Sequence, residues 1–267
     1  MCGRYSNEAE FSQIRLLFQA TDQTFRPWVP RYNISPSSGG GFEQLIVTAD
    51  RPGSRQIRLA RFWFIPEGWA KPLNQLPTTF NARSEDLDRR RLWRTPFAQS
   101  RCLVPATGWR EFLGVAKAKQ PYHFRLAGSG AEPRPFAFAG LHGTWTSPDG
   151  EVVDSFAILT TTPSPTAAPI HDRMPLVMPS DLYDQWLTDS AARHEVLAAA
   201  QKSAQELALD VFPSDPIANS VHYEGAAAVA RVEPSAPAPR PTRSRQSETA
   251  PGQLSLLDQP PSARRRS

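Results

Sequence analysis

The strongest constraint on this chain is the way its apolar residues are parcelled out. The β-prone runs at 44–49, 56–66, 101–106, 121–126, 136–140 and 152–161 are short, and Pro and Gly punctuate them. Helical patterns sit among these runs. Residues 9–20 place Phe11, Ile14, Leu17 and Phe18 on one face, 84–98 read as a helix capped by Ser84, and 180–208 read as one or two helices starting at Ser180. Helices inserted among many short strands predict an α+β fold with a mainly antiparallel sheet, not a doubly wound α/β fold. Neither GxGxxG nor GxxxxGK[ST] occurs, so no nucleotide cofactor is expected.

The pattern stops near Val232. Beyond it the chain turns to Pro, Ala, Ser, Arg and Thr, which predicts one domain over 1–231 and a disordered tail over 232–267. The tail also holds six arginines against three acids, +3 of the net charge of +4, so the domain itself is nearly neutral. Nucleic-acid contact in the domain would then rest on a few placed arginines rather than a broad basic face. No apolar run approaches the roughly 18 residues of a membrane span, and no signal peptide is evident; a cytoplasmic monomer is expected. In a reducing compartment Cys2 and Cys102 are not expected to form a disulfide, and with no CxxC or HxxxH spacing no metal is assigned.

Four segments carry chemistry. In Met1-Cys2-Gly3-Arg4-Tyr5, a small residue at position 2 permits removal of Met1, leaving Cys2 with a free α-amine and a thiol. Their unperturbed pKa values, about 7.7–8.0 and about 8.5, give each a reactive fraction near neutral pH. A 1,2-aminothiol is a specific reagent for aldehydes: the amine condenses to an imine, and the thiol closes a thiazolidine ring on the same carbon. In Phe80-Asn81-Ala82-Arg83-Ser84-Glu85, alternate residues of an extended segment point the same way, so Asn81 and Arg83 can share a site. The guanidinium suits a phosphate, and the amide can orient a carbonyl or hydroxyl. Glu111, between aromatics in Trp109-Arg110-Glu111-Phe112, should be desolvated with a raised pKa suited to acid/base work, unless Arg110 pairs with it. His171 ends a Pro-rich loop after a β-prone run, a common place for catalytic side chains.

Together MCGRY, RYNISP (31–36), FNARSE (80–85), ATGWREF (106–112) and IHDRMPLVM (170–178) resemble the SOS-response-associated peptidase (SRAP) family, the abasic-site processing proteins, over about residues 1–231. The resemblance implies a curved, mostly antiparallel β core with a groove for single-stranded DNA. It also implies a thiazolidine cross-link between the N-terminal cysteine and the ring-opened sugar of an abasic site, a lyase-like activity in the DNA damage response. Cys2 would be the nucleophile, Asn81 would orient amine and sugar, Glu111 would be the general acid/base, and His171 would hold or protonate the sugar oxygen. Arg4 and Arg83 resemble phosphate contacts, and Trp69 a base-stacking residue. The chain departs from the family at Arg110 and Phe112, and at Asn219-Ser220-Val221-His222-Tyr223-Glu224-Gly225, where one phosphate contact is expected to be absent or altered.

Two other functions suit the same residues. A cysteine peptidase acting on its own Met1 would use Cys2. A non-catalytic single-strand binding module would explain the arginines and tryptophans, but not an aminothiol beside a carboxylate. In the tail, Gln253-Leu254-Ser255-Leu256-Leu257 is an apolar island, resembling the glutamine–leucine peptides with which bacterial repair proteins dock onto the sliding clamp. Gln253, Leu254, Leu256 and Leu257 are its candidate anchors.

Overall fold

The computed structural model describes residues 2–24, 26–36, 43–114, 119–128 and 133–233. Along these the elements run β1 (Tyr5–Asn7), α1 (Phe11–Phe18), β2 (Thr21–Asp22), β3 (Arg31–Ile34), β4 (Glu43–Ala49), β5 (Arg55–Phe62) and β6 (Asn81–Arg83). Then come α2 (Arg91–Gln99), β7 (Arg101–Ala106), β8 (Gly108–Leu113), β9 (Gln120–Leu126), β10 (Phe136–Thr146) and β11 (Val152–Thr161). The last are β12 (Met174–Pro175), β13 (Val177–Met178), α3 (Tyr183–Thr188), α4 (Arg193–Gln205) and β14 (Leu209–Pro213). This is the expected α+β class, and each of the six β-prone runs overlaps a strand. None of these helices is long and apolar enough to cross a membrane.

The strands form two sheets. One, in the order β14-β9-β8-β1-β3, is wholly antiparallel. The other follows β12-β11-β10-β7-β4-β5-β2 and then curls, because β5 also pairs in parallel with β11 at Ser155–Arg61 and Phe156–Phe62. That pairing closes β11, β10, β7, β4 and β5 into a ring, the extreme form of the curvature expected. The parallel pairings are β2–β5, β5–β11 and β6–β11; the others are antiparallel. β7 tolerates Pro105 because β4 pairs with it only at Val47–Leu103, so the missing N–H falls beyond that ladder.

Aromatic packing joins the sheets. Tyr5 on β1 meets Phe62 and Phe138 edge-on at 5.5 and 6.0 Å, and Trp109 on β8 stacks on Phe124 at 4.9 Å with its edge toward Phe136 and Phe138. Outside the ring α1 buries Ile14 and Phe18, α2 buries Trp93 and Phe97, and α4 buries Val196, Leu197 and Ala200.

The expected helix over 84–98 divides. Ser84 opens a single 3-10 turn, Ser84–Asp86, and the α-helix starts only at Arg91 without a side-chain cap. Ser84 cannot serve as that cap: its hydroxyl is buried and accepts from Gln201 Nε2 of α4 at 2.9 Å. The tail motif at 253–257 lies outside the described residues.

Candidate active site

Strand alternation explains the position of Glu111. On β8, Trp109 and Glu111 face one way and Gly108 and Arg110 the other. Gly108 is required on its face because a Cβ there would stand 2.5 Å from Nε2 of the buried His123. Arg110 donates to Asn33 Oδ1 at 2.8 Å and to the Ala228 carbonyl at 2.6 Å, so it is not the partner of Glu111. Glu111 continues the buried aromatic face; its side chain is 4% exposed and its Oε1 has no hydrogen-bond partner. Burial pushes its carboxyl above the ordinary range, against the opposing pull of His171 and of a hydrogen bond with Cys2.

Cys2 is buried beside it. The Cys2 carbonyl accepts Asn81 Nδ2 at 3.1 Å, and its thiol donates to the Arg173 carbonyl at 3.5 Å. Burial, and then the adjacent Glu111 carboxylate, hold the thiol well above its usual pKa. Cys2 is therefore a protonated thiol in this enclosure rather than a standing thiolate.

His171 arrives on the turn that follows β11. Its Nδ1 lies 3.0 Å from both the backbone nitrogen and the carbonyl oxygen of Arg173, and its Nε2 lies 3.7 Å from Glu111 Oε2. Donor atoms of Cys2, Glu111 and His171 all lie within 4.8 Å of one another. Thiol, carboxyl and imidazole thus converge from chain positions at least 60 residues apart, beside an α-amine once Met1 is gone. Such a set can pass protons between a nucleophile and a carbonyl substrate, and its donor types are also those of a metal site.

Asn81 and Arg83 share a face of β6, as expected, with Ala82 buried between them. Parallel pairing with β11, Asn81 to Ile158 and Arg83 to Thr160, fixes that strand, and Asn81 also donates to the Ile158 carbonyl at 3.3 Å. Asn81 reaches Cys2, while Arg83 projects to solvent at the edge of the site. Sequence reasoning missed the brace behind it. Arg173 forms a two-pronged ion pair with Glu85, both N–O distances 2.8 Å, and donates to the Thr160 carbonyl at 2.6 Å. This clamps the β6 turn to the His171 segment. Arg173 and Glu85 stand inside the quoted motifs, but their partnership spans 88 residues and has no local signature.

The other two expected DNA contacts, Arg4 and Trp69, have partners within the fold. Arg4 is buried, donating to Asn33 Oδ1 at 3.1 and 2.7 Å, to Ser220 O at 3.2 Å and to Ala218 O, and burial lowers its pKa to about 10. The segment that departs from the family pattern covers it, and Glu224 secures that segment by accepting from Arg31 and from the backbone of Tyr32 and Asn33. In this arrangement Arg4 ties the start of the chain to Asn33 and to residues 218–220. Trp69 is half-buried against a satellite cluster of Ile65, Leu76 and Trp145. Its loop still leads to Asn81 through Phe80, which packs edge-on against Trp63 at 5.5 Å.

A family model described as SOS response associated peptidase (SRAP) matches residues 1–221. The chain is 33% identical over 192 residues to the abasic site processing protein YoqW of Bacillus subtilis, covering 70% of this chain and 80% of that one. It is 32% identical over 192 residues to YobE of the same organism, also named an abasic site processing protein, covering 70% and 82%. Among solved structures, a protein from Bacteroides thetaiotaomicron superposes with a TM-score of 0.70 at 19% identity, covering 87% of this chain and all of that one. The sequence match and the shared fold lead to one conclusion: this chain belongs to the SRAP family.

Proposed function

We propose that this protein captures abasic sites in single-stranded DNA by forming a thiazolidine through Cys2. The convergence of Cys2, Glu111 and His171 within 4.8 Å, in an enclosure that also anchors the Cys2 backbone, carries the reading. The names of the relatives point the same way.

The α-amine of mature Cys2 attacks the C1′ aldehyde of the ring-opened sugar to give a carbinolamine. Loss of one water yields the imine, and the thiol then adds to the imine carbon, its proton passing to the nitrogen. The net change is one C–N and one C–S bond formed at C1′ and one water released. The raised carboxyl of Glu111 delivers the proton that expels water and can accept the thiol proton at ring closure. His171 assists at the sugar oxygen, Asn81 positions the cysteine, and Arg83 meets a phosphate. Adding two bonds to one carbon makes the adduct stable where a lone imine hydrolyses.

Removal of Met1 by the chain's own Cys2 is the second reading. The carboxyl beside the thiol favours it, but the narrow enclosure suits this one peptide bond and no general protease. In the tail, Gln253, Leu254, Leu256 and Leu257 would dock on a sliding clamp, with the proline-rich stretch before them acting as tether.

Single-stranded DNA carrying one abasic site, with intact DNA and a peptide as controls, tests the reading. A denaturation-resistant adduct only on abasic DNA is the expected result. Peptide cleavage, or reversible binding to every strand without an adduct, would overturn it.

A further inference from the structure

We propose that the Cys2 site binds Zn2+, which holds both nucleophiles out of reaction until it is withdrawn. The inference depends on the preceding reading only for the freed α-amine.

A mature N-terminal cysteine is a bidentate ligand by covalent geometry, its nitrogen and sulfur closing a five-membered chelate on one ion. Glu111 and His171 supply the other donors. A tetrahedral Zn2+ shell with bonds of about 2.0–2.3 Å sets its donors roughly 3.3–3.8 Å apart. His171 Nε2 and Glu111 Oε2 already stand at 3.7 Å, and all three side-chain donors lie within 4.8 Å, so contraction by about an ångström completes the shell. Nitrogen, sulfur, carboxylate oxygen and imidazole nitrogen form a set that suits Zn2+.

A second observation points to a ligand there. Glu111 is almost wholly buried, yet its Oε1 has no hydrogen-bond partner, which is costly for an acceptor in an apolar wall. His171 is already oriented for ligation, its Nδ1 held by the Arg173 backbone so that Nε2 faces inward. Linear spacing cannot disclose such a site. Cys102 lies buried beneath Gly140 on another strand and takes no part.

Binding displaces the thiol proton to solvent, and the Glu111 proton where that carboxyl is protonated; no electrons change hands. Because the amine and the sulfur are the groups that bond C1′, bound metal and aldehyde exclude each other. Zn2+ thereby also shields an aminothiol that would otherwise react with any small aldehyde.

The test uses the mature full chain, stripped of metal, with Co2+ as spectroscopic probe. A thiolate-to-cobalt band saturating at one equivalent and displaced by Zn2+ is expected. It should vanish in Cys2→Ser, persist in Cys102→Ala, and need about tenfold or more Co2+ in His171→Ala. Should those variants misfold, the same chain with its N-terminus blocked by a cleavable tag serves instead: it should bind weakly until the tag is removed. One equivalent of Zn2+ should stop adduct formation on abasic DNA, and a chelator should restore it. No band at tenfold excess Co2+, a band surviving Cys2→Ser, or undiminished cross-linking with Zn2+ bound overturns the proposal. If cross-linking itself fails, the cobalt band still reads the metal site, so the two proposals fall separately.

Discussion

Asn81 donates its side-chain amide to the carbonyl oxygen of Cys2 at 3.1 Å, so a residue at the extreme end of the chain, where fraying is usual, is tied to the middle of the fold. The same amide nitrogen reaches the Ile158 carbonyl at 3.3 Å, which leaves it little freedom. Asn81→Ala removes the tie and should slow adduct formation by about tenfold, the scale of one buried hydrogen bond. Asn81→Asp should be slower still, since a carboxylate would face two carbonyl oxygens without a proton to donate. Equal rates for the three proteins in a single-turnover assay would show that Asn81 only fills space.

Cys2→Ala retains an α-amine and loses the ring-closing sulfur. Borohydride should still trap an imine on abasic DNA, while the untreated adduct should not survive denaturation. An untreated adduct as durable as the parent's would falsify the thiazolidine step.

Glu111→Gln should leave DNA affinity nearly unchanged and slow cross-linking by around 10²-fold or more. It also has a thermal signature. Burial raises the folded carboxyl pKa above the ordinary value of about 4.3, so Glu111 favours the fold at low pH. That contribution is lost as pH rises through the elevated value. The glutamine variant should therefore melt a few degrees higher than the parent at neutral pH, with the gain shrinking toward pH 4. A gain independent of pH would point to packing instead.

The two arginines near the site should part company. Arg83 is exposed at the site edge, and Arg83→Ala should weaken single-strand binding broadly and lower its salt dependence by about one phosphate. Arg4 is buried on Asn33 and two carbonyls, so Arg4→Ala should cost about 2 kcal/mol or more of stability without changing the salt slope. Denaturant melts beside a salt titration of binding separate the two.

A labelled peptide spanning 248–261 should bind purified bacterial sliding clamp saturably, and lose binding when Gln253, Leu256 and Leu257 are changed to alanine. No binding at high micromolar clamp removes the docking proposal.

Much of this was legible in the chain because the relevant physics is local. Aromatic neighbours at Trp109 and Phe112 in a β-prone run are enough to predict the raised carboxyl of Glu111, and period two puts Asn81 and Arg83 on one face. What stayed hidden depends on partners far away in sequence. Ser84 looks like a helix cap until Gln201 takes its hydroxyl, and Arg4 looks like a surface cation until residues 218–220 cover it. The Arg173–Glu85 clamp and the closing of the ring by β5 and β11 belong to the same class.

The setting of β1 has a consequence for how the protein is made. Its neighbours β3 and β8 and the carbonyl of Arg173 must all exist before Cys2 is enclosed. At ordinary synthesis rates the ribosome needs roughly 10 to 35 s to travel from codon 2 to codon 173. Throughout that interval the start of the chain is open to any enzyme that trims it; afterwards Cys2 is buried. An external aminopeptidase therefore has its easiest access to Met1 on the nascent chain, whereas self-removal by Cys2 must wait until Glu111 and His171 have assembled around it.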